Sequence, residues 1–427
     1  MTTNAVKEWN RLKKFTILFF SAFFALEIIP SFINFFIRST DGYYYPSFFV
    51  QNYILRLHDI PKWTHQVSRG GDTLDDWIQH LAYIIIAIIV ALIFLVVDKR
   101  KNYSQLLLWT KIGIRYFLGP VMFLYGVNKL FLNQMVYPKL SYFYTPLGDF
   151  YPMDLVWTFV GYSATYQFIG GLLEFIAGIL IMFRRTLVLG LLLFVGVMSQ
   201  ILMYNYFYGV GVKTFSTLLM IMGLFLLVKY IPKLIDFLLL GKSSTIEVSE
   251  LTIKTPWKKK ARLLLKYGFI VFALIFIVQR NYDLYNRLNS YSPIAIEGAY
   301  DVYSFKVNGT ENTNYFDTER WNQIVVNKSL DGKSSDGHVS LGTTIRQLAH
   351  FEIDSLNQLT VTFIRDSLVV FKGVNNISGD SLVWNGKMGN DTAQFILKKN
   401  KRELPLHERP FRLINPTNGS ENLRIRK

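Results

Sequence analysis

The sequence predicts a helical membrane bundle of about seven transmembrane helices, followed by a small all-β domain outside the membrane. Half of the residues are hydrophobic, only 18% are charged, and the mean hydropathy is +0.24. Long apolar runs fill the chain up to Asn281, and shorter runs that alternate between apolar and polar residues follow it. Long runs are typical of membrane-spanning helices, and alternating runs are typical of strands. Such a chain is too apolar for an ordinary soluble enzyme.

The formal net charge of +16 reflects basic clusters that lie beside the ends of the apolar runs. This placement is typical of membrane orientation and not of phosphate binding, so the predicted partner is the lipid bilayer and not nucleic acid. The chain contains no cysteine. Disulfides, thiolate metal sites and cysteine-ligated iron–sulfur clusters are therefore excluded, and a redox role would need a bound cofactor or a partner subunit.

The basic clusters between the predicted spans indicate how the spans are oriented in the membrane. The first run is too long for a cleaved signal peptide and is interpreted as a retained anchor. Spans are predicted at about 15–37, 81–97, 108–132, 156–183, 186–208, 212–229 and 263–278. With the N-terminus in the cytoplasm, every basic cluster falls on the cytoplasmic side. The sequence therefore predicts a multi-pass protein of the inner (cytoplasmic) membrane whose C-terminal domain is periplasmic.

Four regions follow from these predicted spans. Residues 1–104 hold two transmembrane helices joined by an aromatic extracytoplasmic loop, which we expect to cap the bundle. Residues 105–232 form a four-helix membrane core, and 233–290 hold a basic cytoplasmic linker and the last helix. Residues 291–427 contain about eight alternating runs, which are typical of a small sandwich or barrel. Glu297-Gly298-Ala299-Tyr300 resembles the Gly-x-Tyr entry of lipocalin-like barrels.

Two stripes of small and polar residues mark the predicted core. At helical spacing, one stripe holds Arg115, Gly119, Met122, Gly126 and Lys129, and the other holds Gln167, Gly171, Glu174 and Gly178. Small residues allow two helices to approach closely, so the polar residues can meet across the contact. A charge at the bilayer centre costs about 3 kcal/mol even on mild insertion scales, which makes such residues candidates for function.

Similar distances from the basic clusters, about 15 to 21 Å at 1.5 Å per residue, place Arg115, Glu174 and Glu27 at a similar depth. This predicts an ion pair between Arg115 and Glu174, with Glu27 as a second acid. Lys129 lies about four helical turns further out, near the mouth of the bundle. A paired Arg115 and Glu174 could equally fix helix register without binding anything, and the sequence leaves both interpretations open.

A further acidic group precedes the second span. Asp76 and His80 are one helical turn apart, and Asp72 and Asp75 lie close by. An acidic cap at the start of the helix explains these residues, and no second histidine is near. No metal site is therefore predicted.

The stripes resemble the DoxX-like membrane proteins. Matching residues run from Arg115 to Gly119, from Gly126 to Leu130, from Gly170 to Glu174 and from Ala177 to Leu180. The resemblance covers about 108–230, and the tail from Leu404 to Asn415 is similar to the end of the exported domain in longer members. It implies a four-helix core and, from some relatives, a link to thiosulfate:quinone oxidoreduction or membrane redox complexes. More distantly, the chain resembles the vitamin K-dependent carboxylase group, which joins a membrane bundle to a β-rich domain.

Two hypotheses of different classes follow. In the first, a polar cavity in the bundle binds a quinone-like or lipidic ligand beside a membrane redox reaction, and the β domain binds membrane or periplasmic protein partners. The ligand-binding or proton-relay candidates are Arg115, Glu174, Lys129, Glu27, Gln167 and Asn128. In the second, the protein is a non-enzymatic scaffold or accessory subunit of an envelope complex. The presence of an enclosed polar cavity distinguishes the two, and no catalytic residue is assigned.

Overall fold

The computed structural model describes residues 8–37, 72, 74–243, 245, 255–343 and 345–404. These residues group into two compact units. One unit holds Met1–Val136 and Tyr151–Tyr285, and the other holds Tyr137–Phe150 and Asn286–Lys427. The aromatic residues 43–63 of the predicted cap and the tail from 405 onward lie outside the described residues.

Ten α-helices occupy the described part of the chain. They are α1 (Arg11–Ile37), α2 (Leu74–Val97), α3 (Ser104–Leu130), α4 (Leu140–Phe143), α5 (Pro152–Tyr162), α6 (Ala164–Met182), α7 (Leu187–Phe207), α8 (Lys213–Leu227), α9 (Ile231–Leu238) and α10 (Pro256–Asn289). The predicted spans fall within or close to these helices. The helix α10 is 34 residues long and extends beyond the predicted last span, 263–278, at both ends.

Six stretches of the described residues are long and apolar enough to cross a membrane. They are Asp76–Val97, Ser104–Leu130, Ala164–Met182, Leu187–Phe207, Lys213–Leu238 and Pro256–Asn289. The predicted multi-pass architecture is confirmed. The predicted total of seven spans includes α1, which is not among these six stretches. The total of seven therefore stays a prediction.

The predicted continuous span at 156–183 is wrong, because the chain breaks at Ser163 into α5 and α6. Ser163 has an extended backbone (φ −107°, ψ 98°), and its Oγ accepts a hydrogen bond from the Tyr166 N–H at 3.3 Å. A serine in this position caps a new helix by satisfying an N–H that has no partner within the helix. The break directs α5 against Met135, which packs on Val156 and Val160.

The two predicted stripes form the contact between α3 and α6. A β-carbon at Gly126 would lie 2.8 Å from the Gly171 carbonyl oxygen, and one at Gly178 would lie 2.9 Å from the Gly119 carbonyl oxygen. Only glycine permits this approach of two backbones. Residues later in α3 therefore face residues earlier in α6, so the two helices are antiparallel.

The helix α10 is held against the same pair of helices. Its Ile270 and Ile277 pack with Phe123 of α3 and Met182 of α6. Beyond the end of α3, the Asn133 Nδ2 donates to the carbonyl oxygen of the buried Asn281 at 2.8 Å. Apolar packing and one polar contact thus join α10 to the α3–α6 pair.

The second unit contains a closed antiparallel barrel of eight strands. Its strands are β1 (Gly298–Val307), β3 (Trp321–Val326), β4 (Ser334–Leu341), β5 (Ile345–Ile353), β6 (Gln358–Phe363), β7 (Leu368–Ser378), β8 (Ser381–Met388) and β9 (Asp391–Lys399), and the short β2 (Thr310–Glu311) pairs with β1. Each strand pairs with the next, and pairing of β1 with β9 closes the barrel. The prediction of a small all-β domain is confirmed, and of its two forms the structure has the barrel.

Aromatic side chains fill the inside of the barrel. The rings of Phe305 and Phe395 stack with centroids 4.8 Å apart, and Trp321 lies 5.0 Å from Phe395. Trp384 is also fully buried, and its Nε1 donates to Asn375 Oδ1 at 2.9 Å. An eight-stranded barrel is just wide enough for side chains to fill. The core of this barrel is therefore packed protein.

The segment 137–150, which connects α3 to α5, belongs to the barrel unit. Its Tyr144 and Leu140 pack with Ala299 and Val325 of the barrel wall. The Ser141 N–H donates to Asn327 Oδ1 at 2.9 Å. Asp149 and Arg346 form an ion pair as well. Part of the barrel surface is thus covered by chain that precedes the barrel by more than a hundred residues.

Candidate functional site

A buried ion pair lies at the contact between α3 and α6. The Lys129 Nζ is 2.5 Å from the Glu174 Oε1. Lys129 is 8% exposed and Glu174 is 2% exposed. The close approach of Gly126 to Gly171 brings the end of α3 against the first half of α6, which places the two side chains together.

The predicted pairing of Arg115 with Glu174 is wrong. The Arg115 guanidinium instead donates to the carbonyl oxygens of Ile181 at 2.9 Å and Met182 at 2.8 Å. The last carbonyls of a helix have no partner within it and carry partial negative charge, which a cation satisfies. Because the helices are antiparallel, Arg115, which precedes Gly119 and Gly126 on α3, meets the end of α6. Arg115 therefore caps a helix and does not reach Glu174.

Glu27 has its partner on a different pair of helices. Its Oε1 lies 2.6 Å from the Nδ1 of His80, which joins α1 to α2. Asp72 accepts hydrogen bonds from the N–H groups of Lys213 at 2.7 Å and Thr214 at 2.8 Å, so its carboxylate caps the first turn of α8. Among the described residues, no group of three or more acidic or histidine side chains could hold a metal ion.

A cavity of about 220 Å³ lies beside the Lys129–Glu174 pair, between α3, α5, α6, α7 and α8. Its apolar walls include Met122, Val156, Val160, Leu173, Met198 and Leu219. Its polar lining includes Tyr125, Lys129, Gln134, Gln167, Glu174, Gln200, Asn205 and Ser216. The cavity thus combines an apolar wall with a few converging polar groups, which is typical of ligand sites.

Three buried polar atoms of residues that line this cavity have no hydrogen-bond partner in the described part of the chain. They are the Glu174 Oε2, the Gln167 Nε2 and the Gln134 Oε1. Gln167 is only 1% exposed. Burial of an unsatisfied polar group costs about 1–3 kcal/mol, so such groups in a native protein call for an explanation. A bound molecule with a hydrogen-bond donor and an acceptor would satisfy them.

Of the six predicted site residues, the structure brings Lys129, Glu174 and Gln167 together at the cavity. Arg115 and Glu27 lie in the contacts described above. Asn128 is not part of the cavity lining, and its carbonyl oxygen accepts from the Asn133 N–H at 2.8 Å at the end of α3.

Several polar lining residues were missed from the sequence. On α7, the Gln200 Nε2 donates to the Tyr204 hydroxyl at 2.7 Å and to the Tyr166 hydroxyl of α6 at 3.2 Å. The buried Asn205 of the same helix donates through its Nδ2 to Ser216 Oγ of α8 at 2.8 Å. The signal was present, because Gln200 and Tyr204 are one helical turn apart in a helix that is otherwise mostly apolar.

The helices and this site together define a multi-pass membrane protein that encloses a polar site in an apolar bundle and carries a β-barrel domain. No family model matches the chain, and no solved structure matches it. The chain is 35% identical over 115 residues to the uncharacterized protein YwoB of Bacillus subtilis (strain 168), a match that covers 26% of this chain and 71% of that protein. The chain belongs to the same family as YwoB.

Proposed function

We propose that the helix bundle binds a quinone-like or other lipidic molecule in the cavity beside Lys129 and Glu174, and that it acts in or beside a membrane redox reaction. The observation that carries this proposal is the set of unpartnered polar atoms at the cavity, next to a buried ion pair. An ion pair that only fixed helix register would not need an adjoining cavity with unsatisfied donors and acceptors. The DoxX-like resemblance of this region agrees with the proposal.

The polar groups suit a ligand with oxygen atoms at one end. Lys129 uses one of its three N–H donors on Glu174, so further donors remain for a carbonyl or hydroxyl oxygen. The free Glu174 Oε2 accepts from a ligand hydroxyl, and the free Gln167 Nε2 donates to a second oxygen. These groups hold and orient the ligand and provide a carboxylate through which a proton can move.

The volume limits the part of the ligand that the cavity encloses. About 220 Å³ far exceeds the roughly 10–15 Å³ that one water needs, and it falls short of the ~300–1,000 Å³ of pockets for drug-sized ligands. The cavity therefore accommodates a head group of ring size, and an acyl or isoprenoid tail stays outside it.

Mass spectrometry of small molecules that co-purify in mild detergent tests this function. We expect one lipidic species to be enriched in the wild-type protein and lost from the variant Lys129→Met with Glu174→Leu. The matched control is Glu27→Leu with His80→Leu, which removes another, partly buried polar pair away from the cavity. Equal small-molecule profiles in all three proteins, with a protein partner co-purifying instead, would favour the scaffold function.

The proposal includes the orientation of the chain in a bacterial inner membrane. With seven spans and a cytoplasmic N-terminus, the basic clusters lie in the cytoplasm and the barrel lies in the periplasm. The contact of segment 137–150 with the barrel supports the part of this count that follows residue 150, because the segment and the barrel must lie on one side of the membrane. The four spanning helices α6, α7, α8 and α10 lie between them in the chain, and an even number of crossings returns the chain to the same side.

Cysteine labelling provides the test of orientation, because the chain contains no cysteine of its own. Ser378 on the barrel and Ser243 after α9 are both exposed, so a cysteine at either position can react if the reagent reaches it. In spheroplasts, we expect an impermeant maleimide to label Ser378→Cys and not Ser243→Cys. Ser243→Cys should react once the membrane is opened, and the parent chain should never react. Labelling of Ser243→Cys alone in spheroplasts would reverse the orientation.

A further inference from the structure

The cavity opens to the outer surface of the bundle on one side, where several of its lining residues are exposed. About half of its lining residues are buried, and the exposed ones lie close together: Ile169 is 52% exposed, Leu173 is 39% exposed, and Tyr166 and Gln200 are exposed as well. Ile169 and Leu173 belong to α6 and flank Gly170, which also lines the cavity. Residues that line a cavity and are exposed at the same time mark the place where it opens. The opening lies on α6 beside Gly170.

The packing of α6 against α7 explains this opening. At one end, a β-carbon on Gly190 would lie 2.7 Å from the Ile181 backbone nitrogen, so the two backbones touch. At the other end, a β-carbon on Gly170 would meet nothing within 4 Å. The two backbones therefore touch at the Gly190 end, whereas the space beside Gly170 is free. The hydrogen-bonded Tyr166 and Gln200 lie at the edge of this space.

Both helices that border the opening are among the stretches apolar enough to cross a membrane. Ile169 and Leu173 are therefore exposed to lipid and not to water when the protein is embedded. A side opening of this kind admits molecules that are dissolved in the bilayer.

We propose that the cavity is loaded sideways from the bilayer, through the opening at Gly170 between α6 and α7, and that its occupant is a membrane-dissolved amphiphile whose head group carries both a hydroxyl donor and an oxygen acceptor. This inference rests on the proposed function, since it names the entry route and the ligand class of the same site. The head group meets Glu174 Oε2 and Gln167 Nε2, and the tail leaves through the opening into the lipid.

The route can be tested with a single thiol inside the cavity. Met198 of α7 is buried and lines the cavity, so Met198→Cys places a unique thiol there. The full chain is reconstituted in phosphatidylcholine vesicles and treated with a maleimide that carries a dodecyl chain, or with an impermeant sulfonated maleimide. Each rate is compared with that of the denatured protein. We expect the membrane-dissolved reagent to react and the impermeant reagent to react at least tenfold more slowly.

A bulky residue at the opening should block the reaction. Adding Gly170→Leu to Met198→Cys is expected to slow the reaction of the dodecyl reagent at least tenfold, because the leucine side chain occupies the space that is free around the β-carbon position of Gly170. The matched control is Gly113→Leu on α3. A β-carbon at Gly113 also meets nothing within 4 Å, and Gly113 does not line the cavity. Leu219→Cys on α8 provides a second buried thiol in case Met198→Cys does not fold.

The outcomes separate this inference from the proposed function. Faster labelling by the impermeant reagent, no labelling of either thiol by any reagent, or equal effects of Gly170→Leu and Gly113→Leu would each overturn the side entrance. A ligand that co-purifies with the protein under any of these results would leave the proposed function standing. If Gly170→Leu slows the dodecyl reagent as expected and no ligand co-purifies, the entry route is supported and the proposed function is contradicted.

Discussion

Replacement of Lys129 by methionine alone will destabilise the helix bundle by about 3 to 5 kcal/mol. The change leaves the Glu174 carboxylate buried without the cation that now lies 2.5 Å away, and an uncompensated buried charge carries a cost of this size. Lys129→Met cannot therefore be treated as a neutral probe of ligand binding. The melting temperature in detergent and the abundance of the protein in the membrane measure the loss.

The double variant Lys129→Met with Glu174→Leu should recover most of this stability, because apolar side chains of similar size replace a buried ion pair at little cost. Glu174→Leu alone should be as unstable as Lys129→Met alone. If the double variant melts no higher than either single variant, the two residues do not act as a pair.

Replacement of Gly171 by leucine will disrupt the bundle, and the same change one residue earlier, Gly170→Leu, will leave it folded. A β-carbon at Gly171 would lie 2.7 Å from the Gly126 carbonyl oxygen and 2.7 Å from the Lys129 Cβ, and neither atom can move without displacing α3. Overpacking of a core costs about 1–3 kcal/mol and sometimes more, so we expect Gly171→Leu to cost at least about 3 kcal/mol.

Abundance and size-exclusion profiles in mild detergent distinguish the two glycine variants. Gly170→Leu should match the wild-type protein, because leucine also favours helix more than glycine does. Similar profiles for both variants, whether normal or aggregated, would contradict the close contact of α3 with α6.

The faces of the core helices could be predicted from the sequence, and their mutual register could not. Helical spacing placed Gly126 and Lys129 on one stripe and Gly171 and Glu174 on the other, and these stripes do meet. The depth of each residue was measured from the basic clusters, which suggested Arg115 as the partner of Glu174. Register is set instead by the points where glycines let two backbones touch, and no single sequence states which glycine meets which.

The break at Ser163 and the cavity were also beyond the sequence pattern. Apolar residues continue on both sides of Ser163, so periodicity gives one long helix, whereas the serine cap and the packing of α5 on Met135 give two. The opening of the cavity depends on what surrounds two glycines: a β-carbon at Gly190 of α7 would meet the backbone of α6, whereas one at Gly170 of α6 would meet nothing within 4 Å. Two glycines look alike in a sequence and differ only by what packs against them.

The β domain was predicted within residues 291–427, and a barrel was one of its two expected forms. The structure adds the segment 137–150 to its surface, through Tyr144 packed on Val325 and through Ser141 bonded to Asn327. The sequence could not indicate this, because no pattern links a loop to strands that lie far along the chain.

This arrangement gives the assembly of the protein an order in time. The loop with Leu140 and Tyr144 is synthesised before α6, whereas the first strand of the barrel begins at Gly298. At about 5–20 residues per second, the interval is on the order of ten seconds. During that interval these two apolar side chains have no barrel wall to cover, so this part of the barrel unit can form only after the strands have been made.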